Sequence, residues 1–275
     1  MLLDLGKLRA RALPILTKTA HISAPFITTF LLIHLSAPAV ASIGGSSLAS
    51  STMLLGREYY QTALGEPLLV LFPIVTHSSA GILKRLLYLL SSSPEEPTLF
   101  DMPKPSRFSL PRSLTSALSL TSQLLLLLLP IHYLTHRAHP TLDLVSIDAV
   151  GPSELDYEFV KTGLRTWPVR SWMIYSGLVG AGAVHVIEGM RVIYNTWVAP
   201  RRREQAAGKE GEKNAVRSTH AISRLPKLRI MFALLGIATP VLAGLYVISS
   251  EPAYTFASLV ERYSAAFEQS FVFRI

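Results

Sequence analysis

The sequence predicts an all-α integral membrane protein with five transmembrane helices, and three observations lead there. Only 16% of the 275 residues are charged while 49% are hydrophobic, against about 25% charged in a soluble globular domain. Five stretches reach the roughly 20 mostly apolar residues that a bilayer crossing needs. Lys and Arg separate onto alternating connections between those stretches. The absence of cysteine excludes a disulfide framework, a thiolate zinc site, an iron–sulfur cluster and covalent c-type haem attachment.

The first span is expected over residues 22–43 and the second over 67–90. The third covers 114–134, with an unbroken leucine run at 124–129. The fourth covers 172–198 and the fifth 230–249. A basic start, an apolar run and Ala39-Val40-Ala41 imitate a signal peptide, but Pro25 precedes the run and His34 interrupts it. Past the fifth span, Phe256, Leu259, Val260, Tyr263, Phe267 and Phe271 recur at three- and four-residue steps. That spacing predicts an amphipathic C-terminal helix lying in the membrane interface. The chain thus divides into an N-terminal segment 1–21, a five-helix transmembrane domain 22–249 and a tail 250–275. Two polar connections stand out: a Ser/Pro-rich loop 91–111 and a basic loop 199–229.

Nineteen of the 26 Lys and Arg residues fall in the N-terminal segment, in the second-to-third and fourth-to-fifth connections, or, as Lys84, Arg85 and Arg191, in the last turns of the spans leading into those connections. The positive-inside rule therefore puts the N-terminus on the cytosolic side. Trp167, Trp172 and Trp197 sit near span ends, as interfacial aromatics do. The Arg201–Arg203 cluster reads as a membrane-surface anchor meeting anionic lipid. No aromatic interleaving supports nucleic-acid binding.

Four histidines fall within the spans: His34, His77, His132 and His185. Ionisable groups are expensive in lipid and mark sites or interior contacts. Neutral imidazole is also the usual axial ligand of b-type haem. His77 and His185 share a pattern. In each, a glycine (Gly81, Gly189) follows by four residues on the same helix face, where it leaves room for a flat macrocycle. A basic residue (Lys84, Arg191) lies roughly 10 Å further along the helix, within reach of haem carboxylates. His34 and His132 form a second candidate pair nearer the other face. The bland alternative is that each histidine bonds to a neighbouring helix. Glu188 is expected to pair with a histidine or with Lys84. The stripe Thr115, Ser116, Ser119, Ser122 and Gln123, like Gly177, Gly180 and Gly182, reads chiefly as helix-packing surface.

The spans also look duplicated. A late histidine in one span is followed by His-x-x-x-Gly in the next, twice over, and Ser23 and Thr121 each stand eleven residues before His34 and His132. This predicts two similar helix hairpins plus a fifth helix.

The run Ala183-Val184-His185-Val186-Ile187-Glu188-Gly189-Met190-Arg191 resembles the haem-ligand helix of the succinate dehydrogenase and fumarate reductase membrane anchors. That resemblance implies haem b and, in one reading, quinone-linked electron transfer by a b-type cytochrome anchor. The whole chain resembles a fungal mitochondrial outer-membrane adaptor family whose transmembrane domain is similar to those anchors. The family implies recruitment of a bridge-like lipid-transfer protein of the vacuolar-protein-sorting class at organelle contact sites, with lipid scrambling as an added activity. Its adaptors carry a short Pro-x-Pro motif with apolar neighbours, expected on a longer N-terminal tail. Here Pro103 and Pro105 sit in the 91–111 loop beside Phe100 and Met102. An extended Pro-rich segment loses little entropy on docking.

Overall fold

The computed structural model describes residues 5–90, 113–200 and 226–274. Five helices are long and apolar enough to cross a membrane: Lys7–Tyr60, Glu66–Leu90, Ala117–Thr141, Pro168–Val198 and Lys227–Ser250. No strand occurs among the described residues.

The first helix, α1 (Leu5–Tyr60), departs most from the sequence expectation. It starts well before residue 22 and breaks at Gly44–Gly45, where Gly45 takes φ 64°. Only glycine holds that conformation without a Cβ penalty. The chain then folds back: residues 46–60, expected as connection, are helical and return along the first arm. Phe30 and Tyr60 meet edge-on at 5.0 Å. A turn at residues 61–65 precedes Glu66–Leu71 and α2 (Phe72–Leu90). α2 runs antiparallel to the first arm, with Arg9 over the Tyr88 ring at 4.6 Å.

Ser116 caps α3 (Ala117–Tyr133) by accepting the Ser119 N–H, which satisfies one of the helix's orphan donors. The helix continues through Leu134–Ala138 to Thr141, so His136 and His139 belong to the helix rather than to the connection beyond it. α4 (Tyr157–Thr166) is short and capped by Asp156. α5 (Pro168–Ile193) opens on proline and extends to Val198. Proline suits a first turn, whose N–H groups are orphaned anyway. The last span joins α6 (Pro226–Ala233) to α7 (Thr239–Ser250) through Leu234–Ala238. α8 (Ala257–Glu268) follows. Each of the four later spans carries one π-helical turn, at Glu66–Leu71, Leu134–Ala138, Tyr194–Val198 and Leu234–Ala238.

Helix contacts use small residues, the usual membrane solution. α7 runs parallel to the first arm of α1, and Gly244 lies so close to Pro38 and Ala41 that a Cβ there would run into the Pro38 carbonyl. Gly177 faces Leu128 of α3. Gly180 and Gly182, expected as packing glycines, face nothing within 4 Å of a built Cβ. The serine stripe of α3 is largely spent locally: Ser119 bonds Arg85 at 2.6 Å and the Ser113 carbonyl at 2.9 Å, and Ser122 bonds the Ser119 carbonyl.

The far end of the bundle, opposite the N-terminus, carries a protein cap. The apolar face of α8 is buried in it: Tyr263, Ala266 and Phe267 are fully buried with Ile147, Val150 and Phe159. The Tyr263 hydroxyl donates to the Glu154 carbonyl. Fully buried Lys161 ties the cap to the spans. Its ammonium reaches Glu158 at 2.5 Å, the Pro252 carbonyl at 3.0 Å, Ser46 at 3.3 Å and Glu251 at 3.5 Å. The Glu251 carboxylate accepts the Ser46 N–H at 3.0 Å, just past the Gly45 turn. Burial alone would raise the Glu251 pKa; the Ser46 bonds and Lys161 outweigh it and hold the carboxyl below its ordinary range.

Paired histidines as the candidate functional site

Packing of α1 on α2 and of α3 on α5 brings the four expected histidines together in two pairs. His77 and His185 have ring centroids 6.1 Å apart at an interplanar angle of 78°. His34 and His132 are also 6.1 Å apart, at 76°. Two imidazoles bonding one metal from opposite sides would place their centroids about 6 Å apart, given metal–nitrogen bonds of about 2 Å. Edge-on ring contact alone spans the same range.

The hydrogen bonds fix the protons of the first pair. His77 Nδ1 lies 3.0 Å from the Ala20 carbonyl and 3.2 Å from Ser23 Oγ. A carbonyl only accepts, so Nδ1 carries the proton and the lone pair falls on Nε2. His185 Nδ1 lies 3.3 Å from Thr121 Oγ1. The Thr121 hydroxyl already donates to the Ala117 carbonyl at 2.8 Å. With its proton so placed, the hydroxyl can accept from His185 Nδ1, which matches the tautomer of His77. An outer partner on Nδ1 with a lone pair on Nε2 is how metal-ligating histidines are normally oriented. Ser23 and Thr121, noticed in the sequence only as a repeated spacing, are thus the partners of the two histidines. Each sits on the span before the one it serves.

Gly81 and Gly189 border open space: a Cβ built on either meets nothing within 4 Å. The residues present therefore suit a flat macrocycle beside the first pair. The electrostatics of this level differ from the sequence expectation. Buried Glu188 pairs with Arg229 at 2.9 Å and with Arg191 at 3.3 Å, not with a histidine or Lys84. The long guanidinium arms reach it from α6 and from one turn along α5, where the lysine on α2 does not. Arg191 thus lies beside a carboxylate of its own chain. Lys84 lies two turns along α2 from His77.

The second pair sits among rings. His34 stacks on Phe30 at 5.3 Å and meets Tyr60 at 6.3 Å. His132 lies 4.5 Å from His136, whose Nε2 is 3.1 Å from the Tyr175 hydroxyl. His132 Nδ1 is buried with no hydrogen-bond partner. Tyr60, His136 and Tyr175 carried no signal in the sequence, because their meeting depends on the fold-back of α1 and the extension of α3. Among the described residues no group of three or more His, Asp or Glu side chains forms a metal cage.

The docking residues expected at Phe100, Met102, Pro103 and Pro105 lie outside the described residues, as does most of the basic loop. No family model, curated protein or solved structure matches the chain.

Proposed function

We propose that the chain is a mitochondrial outer-membrane adaptor, built on a haem-binding helix bundle, that recruits a bridge-like lipid-transfer protein at organelle contact sites and moves lipid between leaflets. The observation that carries the haem part is the convergence of the two His-x-x-x-Gly helices, with both Nδ1 atoms engaged and both glycines open. His77 and His185 would be the axial ligands, and Gly81 and Gly189 would give the ring room. Lys84 and Arg191 would be the basic groups to meet its carboxylates. Haem b would supply reversible one-electron chemistry there. The matched Ser23–His77 and Thr121–His185 contacts favour two related hairpins plus a fifth helix.

Recruitment rests on the family resemblance and on Pro103 and Pro105 with Phe100 and Met102, in a loop on the basic, cytosolic side with the N-terminus. A second reading, a b-type cytochrome anchor in quinone-linked electron transfer, rests on the same His77–His185 convergence and on the resemblance of the His185 helix to the haem-bearing anchors.

Replacing Pro103 and Pro105 with Ala should cost about 2 kcal/mol of docking energy, more than tenfold in affinity. The spans should still insert. The test follows the lipid-transfer protein's position at equal expression. Unchanged recruitment would remove the docking assignment. Haem that a quinol reduces, in a chain recruiting nothing, would replace the adaptor by the cytochrome.

A further inference from the structure

A second site lies at the far end of the spans. The turn at residues 61–65 parts α2 from the returning arm of α1 and opens a cleft of about 450 Å³ against the end of α3. That volume lies within the roughly 300–1,000 Å³ typical of ligand pockets. Gln61, Glu66, Pro67, Leu71, Tyr133 and Arg137 line it. Arg137 grips Glu66 in a two-point pair: Nε at 2.9 Å from Oε1 and Nη2 at 2.6 Å from Oε2. The Tyr133 hydroxyl reaches the same carboxylate at 3.4 Å.

We infer that this cleft binds the headgroup of a zwitterionic phospholipid. It lies where two helices long and apolar enough to cross a membrane end, Glu66–Leu90 and Ala117–Thr141. Its polar rim holds one fixed cation and one fixed anion side by side. Glu66 occupies the Nε–Nη2 edge of the Arg137 guanidinium, and its Nη1–Nη2 edge can take a phosphate by parallel N–H bonds. Glu66 takes an ammonium, and the Tyr133 ring face adds attraction for a cation. Pro67 and Leu71 continue the wall into the apolar part of α2, where acyl chains would run. A zwitterion meets both charges with opposite charges. An anionic lipid would satisfy Arg137 but leave Glu66 facing a net negative ligand. The inference needs only that the helices cross a membrane, and its test reads neither haem nor recruitment.

The test titrates the full chain in non-ionic detergent with dihexanoyl phosphatidylcholine, dihexanoyl phosphatidylglycerol and phosphocholine, each followed by native mass spectrometry. Phosphatidylcholine should bind saturably and about tenfold more tightly than phosphatidylglycerol, a difference typical of one charged contact. Glu66→Gln should erase that preference while leaving phosphate binding by Arg137. Ala63→Trp fills the exposed side of the cleft, leaves the ion pair intact and should abolish lipid binding in a folded chain. Equal binding of the two lipids by the unmodified chain would overturn the inference. So would phosphatidylcholine binding that survives Ala63→Trp, or phosphocholine binding as tightly as the lipid.

Discussion

The two histidine pairs have the same ring separation and opposite surroundings. At His77/His185 each ring is aimed by an outer bond on Nδ1, and the position one turn along each helix is glycine facing open space. At His34/His132 the position one turn along is Pro38 or His136, and Phe30, Tyr60 and Tyr175 close around the rings. Distance therefore does not distinguish a ligand pair from a packed aromatic cluster. What distinguishes them is whether the imidazole is oriented from behind and whether there is room in front. On both counts the first pair is the better candidate for a ligand site.

The largest expected effect breaks this comparison outright. In haem-replete protein, His77→Ala or His185→Ala should remove a six-coordinate low-spin b-type spectrum, whereas His34→Ala should keep it. Visible absorption of the three variants decides. If His34→Ala alone removes the Soret band, the assignment of the two pairs is reversed. Next comes Gly189→Leu, whose side chain enters open space. The apo chain should fold normally while haem occupancy falls about tenfold or more, as an overfilled site loses roughly 1–3 kcal/mol. Titrating haem into the purified variant measures it.

Gly244→Ala sharpens the contrast between an open glycine and a closed one. Its Cβ meets the Pro38 backbone, so it should destabilise the bundle by about 1–3 kcal/mol, lowering the melting temperature with or without haem. Gly180→Ala, facing open space, should not.

The smallest effect concerns the cap beyond the second pair. Glu251 is held below its ordinary range, net of burial, by Ser46 and Lys161. Its contribution to stability is present above the unfolded-state pKa and is lost as pH falls through the folded-state value. Below the ordinary glutamate range the unmodified chain should therefore lose stability faster than Glu251→Gln. Parallel thermal melts between neutral and acid pH would show the two curves converging.

Much of the fold was legible because a bilayer imposes a length and an apolar composition on each span. The last four spans begin and end within a few residues of expectation at most ends, the third being seven residues longer at its C-terminal end. The first was misread because apolarity marks what lipid touches, not where a helix stops. The arm from Leu5 carries Lys7, Arg9 and Arg11 on a helix that outlasts its hydrophobic run. The reversal at Gly44–Gly45 needed a cue that hydropathy does not carry. The four histidines were found as costly groups in apolar segments. Their pairing followed from similar depth, but the proton positions did not. Those depend on the Ala20 carbonyl and the Thr121 hydroxyl, which gain meaning only when a neighbouring helix presents an imidazole. Lys161 carried no signal in the sequence, because no spacing rule links it to Ser46 and Glu251, 115 and 90 residues away. The tail is helical over Ala257–Glu268; of the face assigned to lipid, Tyr263 and Phe267 are buried on protein while Phe256 and Phe271, outside that helix, are exposed.

The parallel packing of α7 on the first arm of α1 joins segments far apart in the chain: Ser46 and Glu251 are 205 residues apart. During synthesis the first helix enters the membrane long before its widest partner exists. Until the final span arrives, Pro38, Ala41 and the Ser46 N–H have lipid or a provisional neighbour in place of Gly244 and Glu251. The fifth span is thus the one that closes this seam. Without it, the first arm would present an exposed row of small residues.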